Sequence, residues 1–134
     1  MEKNSNNLLI LVVDDDKDLR EIVAIKLKQA GFRIEEAENG EIAVVKAKKF
    51  KPDLILMDVQ MPKMNGIESL AKIKADPETS AIKVIFLTNY GEQSATDQPL
   101  DDRFAKDIGA LGHIRKTDDL DKIVERVKKE LSIS

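Results

Sequence analysis

Three runs of apolar residues stand out along the chain, each ending in polar side chains. Residues 8–13 read Leu-Leu-Ile-Leu-Val-Val and run into Asp14-Asp15-Asp16. Residues 54–57 read Leu-Ile-Leu-Met and run into Asp58, and residues 84–87 read Val-Ile-Phe-Leu and run into Thr88. Short continuous runs rich in aliphatic and β-branched residues predict strands buried on both faces. Residues 32–37 and 111–114 predict two weaker strands.

Between these runs the apolar residues recur at helical spacing. Leu19, Ile22, Val23, Leu27 and Ala30 predict a first helix, which Asp15 or Asp16 can cap and Gly31 stops. Ile42, Ala43, Val45, Ala47 and Phe50 predict a second, ended before Pro52. Ile67, Leu70, Ala71 and Ile73 mark a third, between Gly66 and Asp76-Pro77, and Leu100, Phe104 and Ile108 a short fourth, closed by Gly109. Leu120, Ile123, Val124, Val127 and Leu131 mark the last. Residues 89–99 are polar, contain Gly91 and Pro99 and show no period, so an irregular, mobile segment is expected there.

Strands alternating with helices predict an α/β fold: a doubly wound five-stranded parallel sheet with five flanking helices and right-handed crossovers. In such sheets ligands bind beyond the carboxyl ends of the strands. Asp14, Asp15, Asp58, Thr88 and Lys116 all fall at or just after strand ends. Carboxylates gathered at one sheet edge repel one another, an arrangement that a cation or a reaction would justify.

The bulk properties narrow the function. A chain of 134 residues has the size of one domain; residues 8–134 are expected to form it and residues 1–7 a disordered tail. Only 4% of residues are aromatic, so the core is aliphatic. A net charge of −3 gives no electrostatic footprint for nucleic acid. The absence of cysteine excludes disulfides and thiol catalysis. No apolar run is long enough to span a bilayer, and the polar start lacks a signal peptide's apolar region, so a cytoplasmic location is expected.

Taken singly, the candidate residues have plain readings. An aspartate triplet after a strand can be a helix cap, Asp58 with Pro62 and Gly66 can be turn chemistry, Thr88 a strand terminus and Lys116 a surface lysine. Together, Val12-Val13-Asp14-Asp15-Asp16, the stretch from Leu54 through Asp58 and Met61-Pro62 to Gly66, Leu87-Thr88, and Gly109-Ala110 ahead of Lys116 are more specific. In this order, over about residues 8–131, the chain resembles the receiver domain of two-component response regulators.

The resemblance implies a flavodoxin-like strand order 2-1-3-4-5. It implies a signalling switch, not an enzyme acting on external substrates, that accepts a phosphoryl group on Asp58 from a histidine kinase or phosphotransfer protein. Mg²⁺ would be bound by Asp15, Asp58 and the backbone carbonyl of Gln60, with Asp14 acting through a coordinated water. Thr88 and Lys116 would contact the phosphoryl oxygens, and Thr88 and His113 would form the switch. The chemistry is consistent with these residue types: a carboxylate can form an acyl phosphate, and Mg²⁺ prefers oxygen ligands.

The sequence also departs from the family pattern. The family carries Tyr or Phe where His113 stands, and its fourth helix begins nearer the end of the preceding strand. It has proline after the lysine, preceded by a cis bond; here Thr117 follows Lys116, and a cis bond before a non-proline costs about 3–4 kcal/mol. A trans bond is therefore expected, with the ammonium standing away from Asp58 until a phosphoryl charge attracts it.

Two other functions compete. An aspartate-nucleophile phosphohydrolase wants a second aspartate two residues after the first, where Gln60 stands. A flavin- or nucleotide-binding protein of similar winding wants a glycine-rich or Ser/Thr-rich phosphate loop after the first strand, where the acidic triplet stands. Because the sequence stops soon after the last helix, output is expected through contact with a downstream protein, from a monomer or weak dimer without direct nucleic-acid or membrane binding. A receiver fragment of a larger DNA-binding regulator would read the same.

Overall fold

The computed structural model describes residues 7–88, 102–116 and 119–133. The expectations for the N-terminal tail, for residues 89–99, for Leu100 and for the Lys116–Thr117 peptide lie outside the described residues.

In chain order the elements are β1 (Leu9–Val13), α1 (Lys17–Gln29), β2 (Arg33–Ala37), α2 (Gly40–Phe50), β3 (Leu54–Asp58), α3 (Gly66–Ala75), β4 (Lys83–Thr88), α4 (Asp102–Asp107), β5 (Gly112–Arg115) and α5 (Leu120–Glu130). All strands are parallel and lie in the order β2-β1-β3-β4-β5. β1 and β3 are buried throughout, as their unbroken apolar runs require. β2 is an edge strand of sequence Arg-Ile-Glu-Glu-Ala, buried only at Ala37, which explains its weak apolar signal.

Alternate strand residues feed two cores. Leu11, Val13, Ile55, Met57 and Phe86 pack with Ala43 and Ala47 of α2, Leu70 and Ile73 of α3 and Ala105 of α4. Ile10, Val12, Leu54, Leu56, Ile85 and Leu87 pack with Val23 and Leu27 of α1 and Ile123, Val124 and Val127 of α5. Ile22, Val45 and Phe50, read from spacing as inward residues, are exposed instead. Val23, Ala24 and Leu27 supply the buried face of α1, and Ala43 and Ala47 that of α2, so a narrower stripe than the apolar pattern suggested suffices.

The helix starts are fixed by side chains. Asp16 accepts from Leu19 N at 3.2 Å and Asn39 from Ile42 N at 2.9 Å, satisfying N–H groups that the helix itself cannot. Asn65 and Glu68 form a reciprocal capping box at α3. Gly31 and Gly109 adopt φ of 100° and 106°, the left-handed region expected after α1 and α4.

The loop after β3 is drawn tightly onto the sheet. Gly66 N donates to Val59 O at 2.8 Å, and a Cβ on Gly66 would lie 2.2 Å from the Asp58 carbonyl oxygen. Gly40 N donates to Met64 O at 3.2 Å, and the buried Ser69 hydroxyl donates to Gly40 O at 2.9 Å. The start of α2, the 59–65 loop and α3 therefore form one packed unit behind the end of β3.

Candidate functional site

Parallel strands bring their carboxyl ends to one edge, and the acidic residues collect there. Val13 lies level with Met57, so Asp14 and Asp58 emerge from adjacent strands at the same height. Both are buried, with relative exposures of 0% and 1%, whereas Asp15 is open to solvent. Asp14, Asp15 and Asp58 each offer a carboxylate oxygen, and these oxygens lie within 4.8 Å of one another.

Lys116 follows β5 and reaches across β4 into this cluster. Its Nζ lies 2.9 Å from Asp58 Oδ1 and 3.2 Å from Asp14 Oδ2, with only 10% of the side chain exposed. Its backbone N donates to Thr88 O at 2.7 Å, which anchors the start of the loop. The expectation of a distant ammonium is thus corrected. The parallel β4–β5 pairing delivers the lysine to the acidic edge, and two buried carboxylates give its charge a reason to stay.

The electrostatics are unbalanced even so. The ammonium contacts are ion pairs without hydrogen-bond alignment, and Asp14 Oδ2 and both Asp58 oxygens have no well-formed hydrogen bond among the described residues. Burial, above all, pushes the Asp58 carboxyl up to about 8; Asp14 and Asp15 act in the same direction, and Lys116 opposes them. Burial lowers the Lys116 pKa, but its pairing with Asp58 and Asp14 outweighs this and raises it.

Buried carboxylates that share a single ammonium fall short of the hydrogen bonding usual in folded proteins. They mark a place where a further positive group fits. The donor set is all carboxylate, as a hard divalent cation such as Mg²⁺ requires, and the single histidine is elsewhere. Gln60 stands exposed in the loop two residues after Asp58.

Thr88 ends β4, is buried, and lies one residue beyond Leu87, the register partner of Asp58. His113 pairs with Phe86 and Arg115 with Thr88, so Thr88 and His113 occupy the same face of neighbouring strands. His113 is turned towards α4: its backbone N and ring Nδ1 lie 3.0 and 2.9 Å from Asp102 Oδ1. Burial opposes ionisation of Asp102, but the hydrogen bond from the His113 backbone and the His113 ring outweigh it, and its pKa is lowered.

Two further residues at this edge escaped the sequence reading. Arg20 Nη1 donates to the Asp14 carbonyl at 2.8 Å, and its Nε lies 3.0 Å from Glu36 Oε1. The available signal was an arginine near the start of α1, where a cation opposes the helix dipole and so asks for a local partner.

A buried aspartate on β3, two aspartates after β1 and a lysine after β5 form a strand-end constellation that matches a known family over most of the chain. The response regulator receiver domain model matches residues 10–128. This chain belongs to the response regulator receiver domain family.

Its relatives agree. The chain is 36% identical to sporulation initiation phosphotransferase F of Bacillus subtilis over 127 residues, covering 95% of this chain and 96% of that protein. It is 33% identical to protein PilH of Pseudomonas aeruginosa, covering 92% and 97%. It is also 38% identical to the phosphate regulon transcriptional regulatory protein PhoB of that species, but there it spans only 51% of the relative's length. Among solved structures, the chemotaxis response regulator CheY4 of Vibrio cholerae superposes with a TM-score of 0.78 at 28% identity, covering 91% of this chain and 97% of that one. The chain is thus a receiver domain of two-component signalling, a family that binds Mg²⁺ at an acidic pocket and works with histidine kinases or phosphotransfer proteins. Among the described residues no helix is long and apolar enough to cross a membrane.

Proposed function

We propose that Asp58 is the phosphoacceptor of a signalling switch that takes its phosphoryl group from the phosphohistidine of a kinase or phosphotransfer protein. The observation that carries this reading is Asp58 itself: buried, at a strand end, with both carboxylate oxygens lacking a well-formed hydrogen bond and a lysine ammonium 2.9 Å away.

In the reaction a carboxylate oxygen of Asp58 attacks phosphorus. A P–O bond forms, the P–N bond to the donor imidazole breaks, and the imidazole leaves with the electron pair. Phosphoryl transfer of this kind is catalysed mainly by positioning and charge neutralisation. Lys116, 2.9 Å from Asp58 Oδ1, would neutralise charge that develops on the phosphoryl oxygens. Thr88 would turn its hydroxyl to a phosphoryl oxygen. Asp15, Asp58 and the Gln60 carbonyl would hold Mg²⁺ directly and Asp14 through water. The bound ion would neutralise charge on the carboxylates and the transferring group.

Output would run through contact with a downstream protein, a reading supported by membership of a two-component signalling family. The switch would run from Thr88 to His113 and α4, since His113 holds Asp102 at the start of that helix. Phosphorylation should therefore change amide protection around Asp102 and His113. Identical hydrogen exchange with and without the phosphoryl group would remove that route.

A further inference from the structure

We propose that Arg20 is a positioning residue for the acidic pocket: its guanidinium, clamped by Glu36, fixes the peptide between Asp14 and Asp15 and so aims both carboxylates. This rests on reading the pocket as a Mg²⁺ site.

The Asp14 carbonyl belongs to the first peptide beyond the paired part of β1, whose last register partners are Val13 and Ala37. The strand end is held on one side, where Asp14 N donates to Ala37 O at 3.1 Å. Asp14 Oδ1 accepts from Asp16 N at 2.9 Å, which shapes the turn but leaves the Asp14–Asp15 peptide to be oriented from its oxygen. Arg20 Nη1 reaches that oxygen at 2.8 Å. The direction of this oxygen sets the direction in which the chain leaves towards Asp15.

The guanidinium is itself fixed. Its Nε lies 3.0 Å from Glu36 Oε1, with 14% of the arginine side chain and 34% of the glutamate exposed. The Glu36 carbonyl accepts from the Lys46 ammonium, tying the end of β2 to α2. Arginine suits this task because a planar fork can serve two acceptors at once, and a lysine ammonium does not reproduce that geometry. A cavity of about 320 Å³, lined by Arg20, Glu36, Ala37, Glu38, Ile42 and Lys46, opens this clamp to solvent.

Partners that orient metal ligands typically contribute 10–100-fold to affinity. Calorimetric titration of Mg²⁺ into Arg20→Ala should show a dissociation constant raised about tenfold over wild type. Millimolar guanidinium should recover part of the loss by entering the vacated clamp, while urea at the same concentration should not. Arg20→Lys should stay close to Arg20→Ala. A purely structural arginine would lower the melting temperature without a guanidinium-specific recovery of Mg²⁺ affinity. If Arg20→Ala does not fold, Glu36→Gln keeps the arginine and loosens its clamp, and should raise the constant in the same direction. An unchanged constant in the folded variant, no selectivity for guanidinium over urea, or full affinity in Arg20→Lys would overturn the role. If wild type binds no Mg²⁺, the metal reading fails and the role of Arg20 with it; if wild type binds and the variants bind equally well, only the role of Arg20 falls.

Discussion

Lys116 Nζ stands 2.9 Å from Asp58 Oδ1, although threonine follows it where the family has proline. The contact bridges strands that are not adjacent, since β4 lies between β3 and β5. The ammonium therefore serves as the built-in counter-charge of a pocket that would otherwise hold buried, repelling carboxylates. It relieves part of the repulsion that the sequence suggested for the unphosphorylated protein.

Replacing Lys116 with methionine keeps most of the stem and removes the charge. A buried charged group left without its partner typically costs about 1–3 kcal/mol or more. Above about pH 8, where the Asp58 carboxyl is ionised, Lys116→Met should lower unfolding stability by that order in metal-free buffer, and Mg²⁺ should restore part of it. Urea titrations with and without Mg²⁺ check this; equal stability of variant and wild type without metal would show that the ion pair is inert.

Mg²⁺ should stabilise the native chain. An ion bound only by the folded state at ten times its dissociation constant adds about 1.4 kcal/mol. The exposed Asp15 offers a clean control, because its loss disturbs little packing. Thermal midpoints should rise with millimolar Mg²⁺ in wild type and hardly move in Asp15→Ala. The same rise in both would place the ion elsewhere.

The metal-free protein should lose stability as pH rises from about 4 to about 8. The unfolded Asp58 carboxyl loses its proton near its ordinary value of 3.8, while the folded one, buried, keeps it to about 8. In that window the folded state holds more protons than the unfolded state, so stability falls with pH. The fall is complete above the folded pKa and absent below the unfolded one. Asp58→Asn should flatten the profile. A wild-type profile that rises through this window would mean that Lys116 keeps Asp58 ionised.

Gly66 should tolerate no side chain. Its Cβ would lie 2.2 Å from the Asp58 carbonyl oxygen, a backbone atom that cannot swing aside. Gly66→Ala should cost about 1–3 kcal/mol, the usual range for overpacking, and slow phosphorylation by shifting the end of β3. Calorimetry and a phosphorylation time course test both halves; a stable variant with wild-type kinetics would show that the loop adapts.

The sequence reveals most where burial is uniform. β1, β3 and β4 announce themselves because central parallel strands are apolar on both faces, and their ends locate Asp14, Asp15 and Asp58 without any structure. β2 is faint because its edge position lets Glu35 and Glu36 remain partly exposed. Ile22 and Val45 misled because spacing shows that a helix is amphipathic but not how wide its buried stripe must be. The reach of Lys116 and the Arg20–Glu36 clamp were hidden for a different reason. Both join residues whose proximity comes only from strand pairing, and no local pattern encodes that.

Acceptance of a phosphoryl group by Asp58 underlies every other role proposed for the pocket. Intact mass after incubation with Mg²⁺ and a small phosphodonor, such as acetyl phosphate or a phosphoramidate, tests it most directly. A single adduct of about +80 Da, one phosphoryl group, is expected in wild type and none in Asp58→Asn. An adduct that persists in Asp58→Asn, or its absence from wild type with Mg²⁺ bound, would contradict it.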